Sequence, residues 1–207
     1  MKEELYGTRL YINCSQLEEN INYIKQTINK AEIIAMVKAN AYGFGDIFIA
    51  KKMEQLGINY FGVADFEEGV RLRNNGVKSP IMVMNTAKSS IQMIINNKLE
   101  PVIYSKEILA WIIHKNEHRV ITQKKPPCPI HIKINTGMNR WGFNLTEIPE
   151  LIKTLKCYPK HIIVKSLYSH FSSADNRNDD IFTEKQITDF IKIKGEFNKT
   201  FNYNIKT

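Results

Sequence analysis

Apolar residues along the chain fall into two recurring patterns, short unbroken runs and longer stretches in which every third or fourth position is apolar. The run Ile33-Ile34-Ala35-Met36-Val37 is unbroken, as in a parallel strand buried on both faces. It stops at Lys38, ahead of the small-residue, glycine-containing turn Ala39-Asn40-Ala41-Tyr42-Gly43-Phe44-Gly45. Upstream, Arg9-Leu10-Tyr11-Ile12-Asn13 alternates weakly and predicts a short strand. Ser15, three residues before Glu18, has the spacing of a capping box for a helix with Leu17, Ile21, Ile24 and Ile28 on one face. Downstream, Asp46 is read as the cap of a helix carrying Ile47, Ala50, Met53 and Leu56, with Gly57 as its stop.

The same unit then recurs. Strands are predicted at Tyr60–Ala64, Pro80–Met84, Pro101–Tyr104, Ile130–Ile134 and Ile162–His170. Helices follow around Glu67 to Asn74, around Ser89 to Asn96, after Ser105 through Ile108, Leu109 and Ile112, and from Pro149 to Cys157. Thr183 and Gln186 give a second capping-box spacing, for a helix through Ile187, Phe190, Ile191 and Phe197. Asn116 to Pro129, with Pro126, Pro127 and Pro129, reads as a loop. Strands alternating with helices argue for βαβ units around a parallel sheet. Counting from the strand that ends at Lys38 gives six barrel-type strands where a closed (β/α)8 barrel needs eight. A seventh would be starting at Asn204-Ile205-Lys206-Thr207, so an interrupted fold is expected.

Composition narrows the class. At 207 residues with 43% hydrophobic and 24% charged residues, the chain reads as a soluble globular protein. No apolar run approaches the roughly 20 residues of a spanning helix, so no membrane partner is expected. The start, Met1 to Arg9, has no apolar signal core, and cytoplasmic residence is expected. The 29 basic and 21 acidic residues leave a charge of +8, but no basic block is interleaved with aromatics. The densest patch, Gln123-Lys124-Lys125-Pro126-Pro127, reads as a loop, and the dispersed lysines read as solvated surface with no nucleic-acid partner. Cys14, Cys128 and Cys157 are odd in number and widely spaced, as reduced thiols are. They lack metal-ligand pairing, and no metal is expected.

Three strand ends carry candidate chemistry. Lys38 is either a strand-terminal lysine extending its charge to water or a Schiff-base nucleophile, since the carboxyl ends of parallel strands are where sites are built. Arg140, in Asn135-Thr136-Gly137-Met138-Asn139-Arg140-Trp141-Gly142-Phe143, is either a surface arginine stacked on Trp141 or a fork for a carboxylate or phenolate oxygen. His170, in Tyr168-Ser169-His170-Phe171, is either a satisfied polar residue or a site residue. His114, His118, His131 and His161 lack a spacing partner and are read as structural or surface residues.

The string Val37-Lys38-Ala39-Asn40-Ala41-Tyr42-Gly43-Phe44-Gly45 resembles the pyridoxal-phosphate attachment segment of alanine racemases, in which the lysine carries the cofactor. The Arg140 turn resembles the same family, with Asn135 where the family more often has aspartate, and Tyr168 to Phe171 is similar to its Thr-His-Phe segment. Three motifs in order are more specific than any one. The resemblance implies the amino-terminal, barrel-forming part of such an enzyme over residues 1–207, with no carboxy-terminal β-domain, and the cofactor pyridoxal 5′-phosphate.

By that resemblance Lys38 holds the cofactor and acts as base or acid on one face of the substrate α-carbon. Tyr42 bonds the phosphate, and Arg140 sits near the ring hydroxyl and the substrate carboxylate. His170 packs on the ring, and Lys133 matches a lysine that steadies the arginine and can carry a carbamate. The reaction implied is interconversion of L- and D-alanine, supplying D-alanine for peptidoglycan. Family members are homodimers whose second base, a tyrosine, comes from the partner's carboxy-terminal domain; nothing here corresponds to it, so a complementary fragment is expected to be needed. Two other readings stay open, a non-catalytic barrel carrier similar to pyridoxal-phosphate homeostasis proteins and an inert remnant. Against the carrier, those proteins lack the Lys38 and Arg140 segments.

Overall fold

The structure, a computed structural model, describes residues 7, 9–29 and 31–207. The reading of Met1 to Arg9 as lacking a signal core therefore lies, apart from Gly7 and Arg9, outside it, as does the side chain of His118. The chain divides into two compact units, residues 1–81 and 82–207. Among the described residues no helix is long and apolar enough to cross a membrane.

In the first unit helix α1 (Cys14–Thr27) precedes strand β1 (Ala35–Met36), the short turn α2 (Lys38–Tyr42) and helix α3 (Asp46–Gln55). Strand β2 (Phe61–Val63) and helix α4 (Phe66–Asn74) complete the repeat. β1 and β2 pair in parallel, Ala35 opposite Phe61 and Met36 opposite Gly62. Val37, Ile49, Ala50, Phe61, Val63 and Leu72 form the buried interior that holds these elements.

The boundary between the units falls within β3 (Ile81–Val83). The second unit continues with α5 (Ile91–Asn96), β4 (Glu100–Ile103), α6 (Lys106–Gln123), β5 (Cys128–Lys133), α7 (Ile148–Cys157), β6 (Ile162–Tyr168) and α8 (Asp180–Thr200). Here β3, β4, β5 and β6 pair in parallel in chain order. Among the described residues six parallel strands alternate with helices, short of the eight of a closed barrel, as the apolar pattern predicts. Lys206 already forms a parallel bridge to Ser166, with Leu167 N donating to its carbonyl at 2.9 Å.

Strand alternation gives the second unit's sheet two different faces. Ile103, Ile130, Ile132, Ile134, Val164 and Leu167 pack into one apolar cluster with Ile112, Leu151, Leu155, Ile193 and Phe197 from the helices. The opposite face is polar: His131 and Lys133, both buried, point there from β5. His131 Nδ1 lies 2.7 Å from Ser166 Oγ and its Nε2 lies 2.9 Å from Glu100 Oε2, so this histidine is a structural link across three strands. Register slips once, between Ile130 and His131, which lets Lys165 bulge out of the ladder.

Several boundaries differ from the sequence reading. Residues 9–13 form no strand; Leu10 and Tyr11 are exposed, with no neighbouring strand among the described residues to take up their backbone groups. Asn13, not Ser15, caps α1, its Oδ1 accepting from Gln16 N at 3.1 Å. Asp46 lies inside α3, behind Gly45, because its buried carboxylate is turned to Arg71. α6 continues through residues 116–123 where a loop was expected, since Asn116 is buried and its Nδ2 donates to the His161 carbonyl. Thr183 lies within α8, which starts at Asp180, so Thr183 and Gln186 make no capping box. Ser105 caps α6 as expected, accepting from Ile108 N at 3.3 Å.

Candidate functional site

In the first unit the structure places Lys38 directly after β1, half-buried, at the start of α2. Ala39, Asn40, Ala41 and Tyr42 all have φ between 50° and 56°. Four consecutive non-glycine residues in the left-handed region cost roughly 1–2 kcal/mol each. Backbone bonds from Ala41 N to Val37 O at 3.0 Å and from Gly45 N to Asn40 O at 2.9 Å close this left-handed turn. Asn40 Oδ1 also accepts from Asp46 N at 3.1 Å.

The turn is braced from outside by Glu68 on α4. One carboxylate oxygen accepts from Ala39 N and the other from Ala64 N, each at 2.7 Å, so a single side chain ties the end of β1 to the end of β2. Asp46 adds a second brace: its Oδ2 accepts from Arg71 Nε at 3.0 Å while its Oδ1 accepts from Ile47 N at 2.8 Å. Arg71 keeps its proton more firmly than usual, chiefly through that hydrogen bond. Lys38 Nζ lies 6.0 Å from the centre of the Tyr42 ring and has no hydrogen bond or ion pair among the described residues. Tyr42 is exposed, and Gly43 and Gly45, at φ of 95° and 92°, face open space where a Cβ would stand.

In the second unit the turn after β5 is organised by Asn135. Its Oδ1 accepts from Gly137 N at 3.1 Å and Asn139 N at 3.0 Å, while its Nδ2 donates to Asn139 Oδ1 and Asn144 Oδ1, each at 2.9 Å. Donation requires the amide, which aspartate lacks. Gly142 sits at φ 128° with the backbone of Lys133, Ile134 and Asn135 only 2.8–3.0 Å from where a Cβ would be. Arg140 is exposed on this turn and makes no hydrogen bond among the described residues. Trp141 does not stack on it; its ring stacks on Tyr104, centroids 4.8 Å apart and planes within 12°, and Tyr104 in turn donates to the Thr86 carbonyl at 2.7 Å.

Tyr168, at the end of β6, links the predicted residues of this unit. Burial pushes its phenol well above the usual range, and the nearby Arg140 charge partly offsets this. Lys133 Nζ lies 5.8 Å from the centre of the same ring, so Lys133 and Arg140 both address Tyr168. His170 follows, exposed, on a segment held by Gln186 of α8. Gln186 Nε2 donates to the His170 carbonyl and to Thr136 Oγ1, each at 3.1 Å, and its Oε1 accepts from Ser172 N at 3.1 Å. Ser169 Oγ donates to the Ile134 carbonyl at 2.9 Å and accepts from Thr136 Oγ1 at 2.7 Å. Gln186 thus does for β5 and β6 what Glu68 does for β1 and β2.

The predicted residues therefore stand as two sets, Lys38 with Tyr42 on the first unit, and Lys133, Arg140 and His170 on the second. The sequence reading gives no role at these turns to Glu68, Gln186, Tyr104 or Tyr168. The implied pyridoxal phosphate needs an amine for its aldehyde and donors for its phosphate and ring oxygen. The donor set fits, with an amine and a guanidinium that lack hydrogen-bond partners among the described residues, an exposed phenol, and glycines beside Tyr42 that leave room.

Parallel strands alternating with helices define the class, a barrel-type α/β domain. A family model described as "Alanine racemase, N-terminal domain" matches residues 12–206. Alanine racemase of Haemophilus influenzae is 34% identical over 184 residues, covering 88% of this chain and 49% of that protein. That of Clostridium novyi is 35% identical over 201 residues, covering 95% of this chain and 49% of that one. Among solved structures, alanine racemase from Clostridium difficile 630 matches with a TM-score of 0.85 at 28% identity, over 95% of this chain and 53% of its own. That from Acinetobacter baumannii matches with a TM-score of 0.78 at 32% identity, over 95% of this chain and 54% of its own. The chain belongs to the alanine racemase N-terminal-domain family. It spans about half the length of the curated relatives it matches.

Proposed function

We propose that residues 1–207 form the cofactor-binding barrel portion of a pyridoxal-phosphate-dependent alanine racemase, acting in the cytoplasm to interconvert L- and D-alanine for peptidoglycan. The observation that carries this reading is the strained turn at Lys38. Four left-handed non-glycine residues, braced by Glu68, hold an amine at a strand end, and backbone strain of that kind is concentrated at functional sites.

Pyridoxal phosphate, when bound, supplies the electron sink that lets the α-carbon of an amino acid lose its proton at neutral pH. Lys38 Nζ is the amine that would hold the cofactor, and it would carry a proton to or from one face of that carbon. Tyr42 would donate its phenolic O–H to the phosphate. Arg140, which shares the Tyr168 ring with Lys133, would offer its guanidinium to the ring oxygen and the substrate carboxylate. His170 would orient the ring. Inversion needs a second acid on the opposite face, which we assign to a tyrosine from a carboxy-terminal segment of a partner subunit.

Reduction of the chain with borohydride after incubation with pyridoxal phosphate, followed by peptide mass mapping, tests the central assignment. The label is expected on Lys38 and absent from Lys38→Arg. A label on another lysine, or none at saturating cofactor, overturns it.

A further inference from the structure

The basic surplus reads in sequence as scattered surface charge, but the second unit sorts part of it. Lys88, Gln92 and Asn96 recur at every fourth position along and just before α5; Trp111, Lys115 and Arg119 do so along α6. That spacing puts Gln92 and Asn96 on one side of α5 and Trp111, Lys115 and Arg119 on one side of α6, with about 6 Å per step, while Lys88 stands in the turn ahead of α5. Two hollows between these helices, of about 720 and 340 Å³, share Gln92 and Lys115 in their walls, and neither is lined by a carboxylate. The acidic side chain Glu117 of α6 lines a different groove, beside Glu150 of α7. α6 is therefore cationic towards α5 and mixed in charge towards α7.

The groove carries more than charge. Lys88 Nζ stands 3.7 Å from the centre of the Trp111 ring, so one indole face lines the groove under a cation that a stacking base would displace. Arg119 spends one N–H group on Asn116 Oδ1, at 2.6 Å, which fixes its guanidinium and leaves further donors. Exposed Lys124 and Lys125 follow where α6 ends. A row of cations for phosphates, an aromatic face for a base and side-chain amides for base edges is the chemistry of a single-strand track. An acidic peptide would use the cations but has no call on the indole or the amides.

We propose that the α5–α6 groove binds single-stranded nucleic acid, with Lys115 and Arg119 on phosphates and a base stacked on Trp111 in place of Lys88. This proposal uses none of the residues assigned to the cofactor and does not depend on the racemase reading. Fluorescence anisotropy of the full chain with a labelled oligothymidine of about a dozen nucleotides tests it across a salt series. Affinity should fall linearly on log–log axes, and Lys115→Gln should lower the steepness by about 0.7, one phosphate contact on a single strand. Trp111→Leu should weaken binding about tenfold, whereas Lys156→Gln on α7 should change neither affinity nor slope.

Four results would overturn the proposal: no binding at about 50 mM salt, an equal loss in Lys156→Gln, a duplex bound as tightly as the single strand, or displacement by an acidic peptide as effective as by unlabelled strand. Because Trp111 is half-buried, the exposed Lys115 keeps the test decisive if Trp111→Leu fails to fold. Borohydride labelling of Lys38 should be the same in all three variants, which separates this outcome from that of the cofactor assignment.

Discussion

Glu68 and Gln186 hold the strand ends together, and each acts across a long stretch of chain. Glu68 reaches Ala39 across 29 residues and Gln186 reaches Thr136 across 50. In Glu68→Gln one of two acceptor oxygens becomes an N–H2 group facing a backbone donor. The loss should be about 2 kcal/mol of stability, measurable as a lower urea midpoint, together with slower borohydride labelling of Lys38. Gly142→Ala should destabilise more, because the contacts within 3.0 Å of the added carbon are backbone that cannot swing aside. Cysteine chemistry gives a third check. Burial pushes the Cys128 thiol up to about 12, so raising the pH from about 7 to about 9 should leave it protonated and unalkylated. Exposed Cys157 should be modified readily, as mass spectrometry of the alkylated peptides will read. The places of Lys38, Arg140 and His170 at or just beyond strand ends were legible in the sequence because each follows a strand-forming run, unbroken before Lys38 and interrupted by polar residues before the other two. The braces were not, since a glutamate or glutamine on a helix looks like any solvated residue until its distant partners are known.

At the scale of elements, existence and order were readable and ends were not. Strand runs and apolar helix faces come from burial, which periodicity encodes; the exact start of a helix comes from which of several polar residues wins the first free N–H groups. Ser15 and Asn13 were both competent caps for α1, and Asn13 took the bond. The amide of Asn116 shows the same limit: one buried polar contact to a residue 45 positions on accompanies two extra turns of α6 through a segment rich in polar side chains. Glu54 supplies a pH test at this scale. It joins the end of α3 to the approach of β3 by accepting from Ser79 Oγ, Ser79 N and Lys78 N at 2.6, 2.8 and 3.0 Å. Burial raises its pKa, but those bonds and the Arg73 charge outweigh that and leave it below the ordinary carboxylate value. A depressed folded pKa contributes stability above the unfolded value, and that contribution disappears as pH falls through the folded one. Urea midpoints taken from about pH 6 down to about pH 3 should therefore decline less steeply in Glu54→Gln than in the parent.

For the molecule as a whole, six strands and half the length of the matched relatives bear on activity. On the reading proposed above, the chain holds one proton-moving group, Lys38, and racemisation needs two on opposite faces. D-alanine formation by these 207 residues alone should be close to background. It should rise when the carboxy-terminal half of a relative is supplied, and the thermal midpoint should rise with it; turnover near that of a full-length relative without any addition would sink the two-part reading. Fold class was legible at this scale because a parallel array is a repeat, and each repeat announces itself by the same run-and-helix pattern. The division into two compact units was not legible, because no linker composition marks the boundary inside β3.

The braces also set what can be exchanged between members of this fold. The turn that begins at Lys38 takes its support from α4, beyond the next strand, so a graft of residues 38–45 alone would transplant a strained loop without its support. The smallest portable piece runs from β1 through Glu68. The counterpart for the Arg140 and His170 turns runs from β5 through Gln186. Recombination with crossover points inside either span should yield few folded chimeras unless both parents carry the same bracing residue.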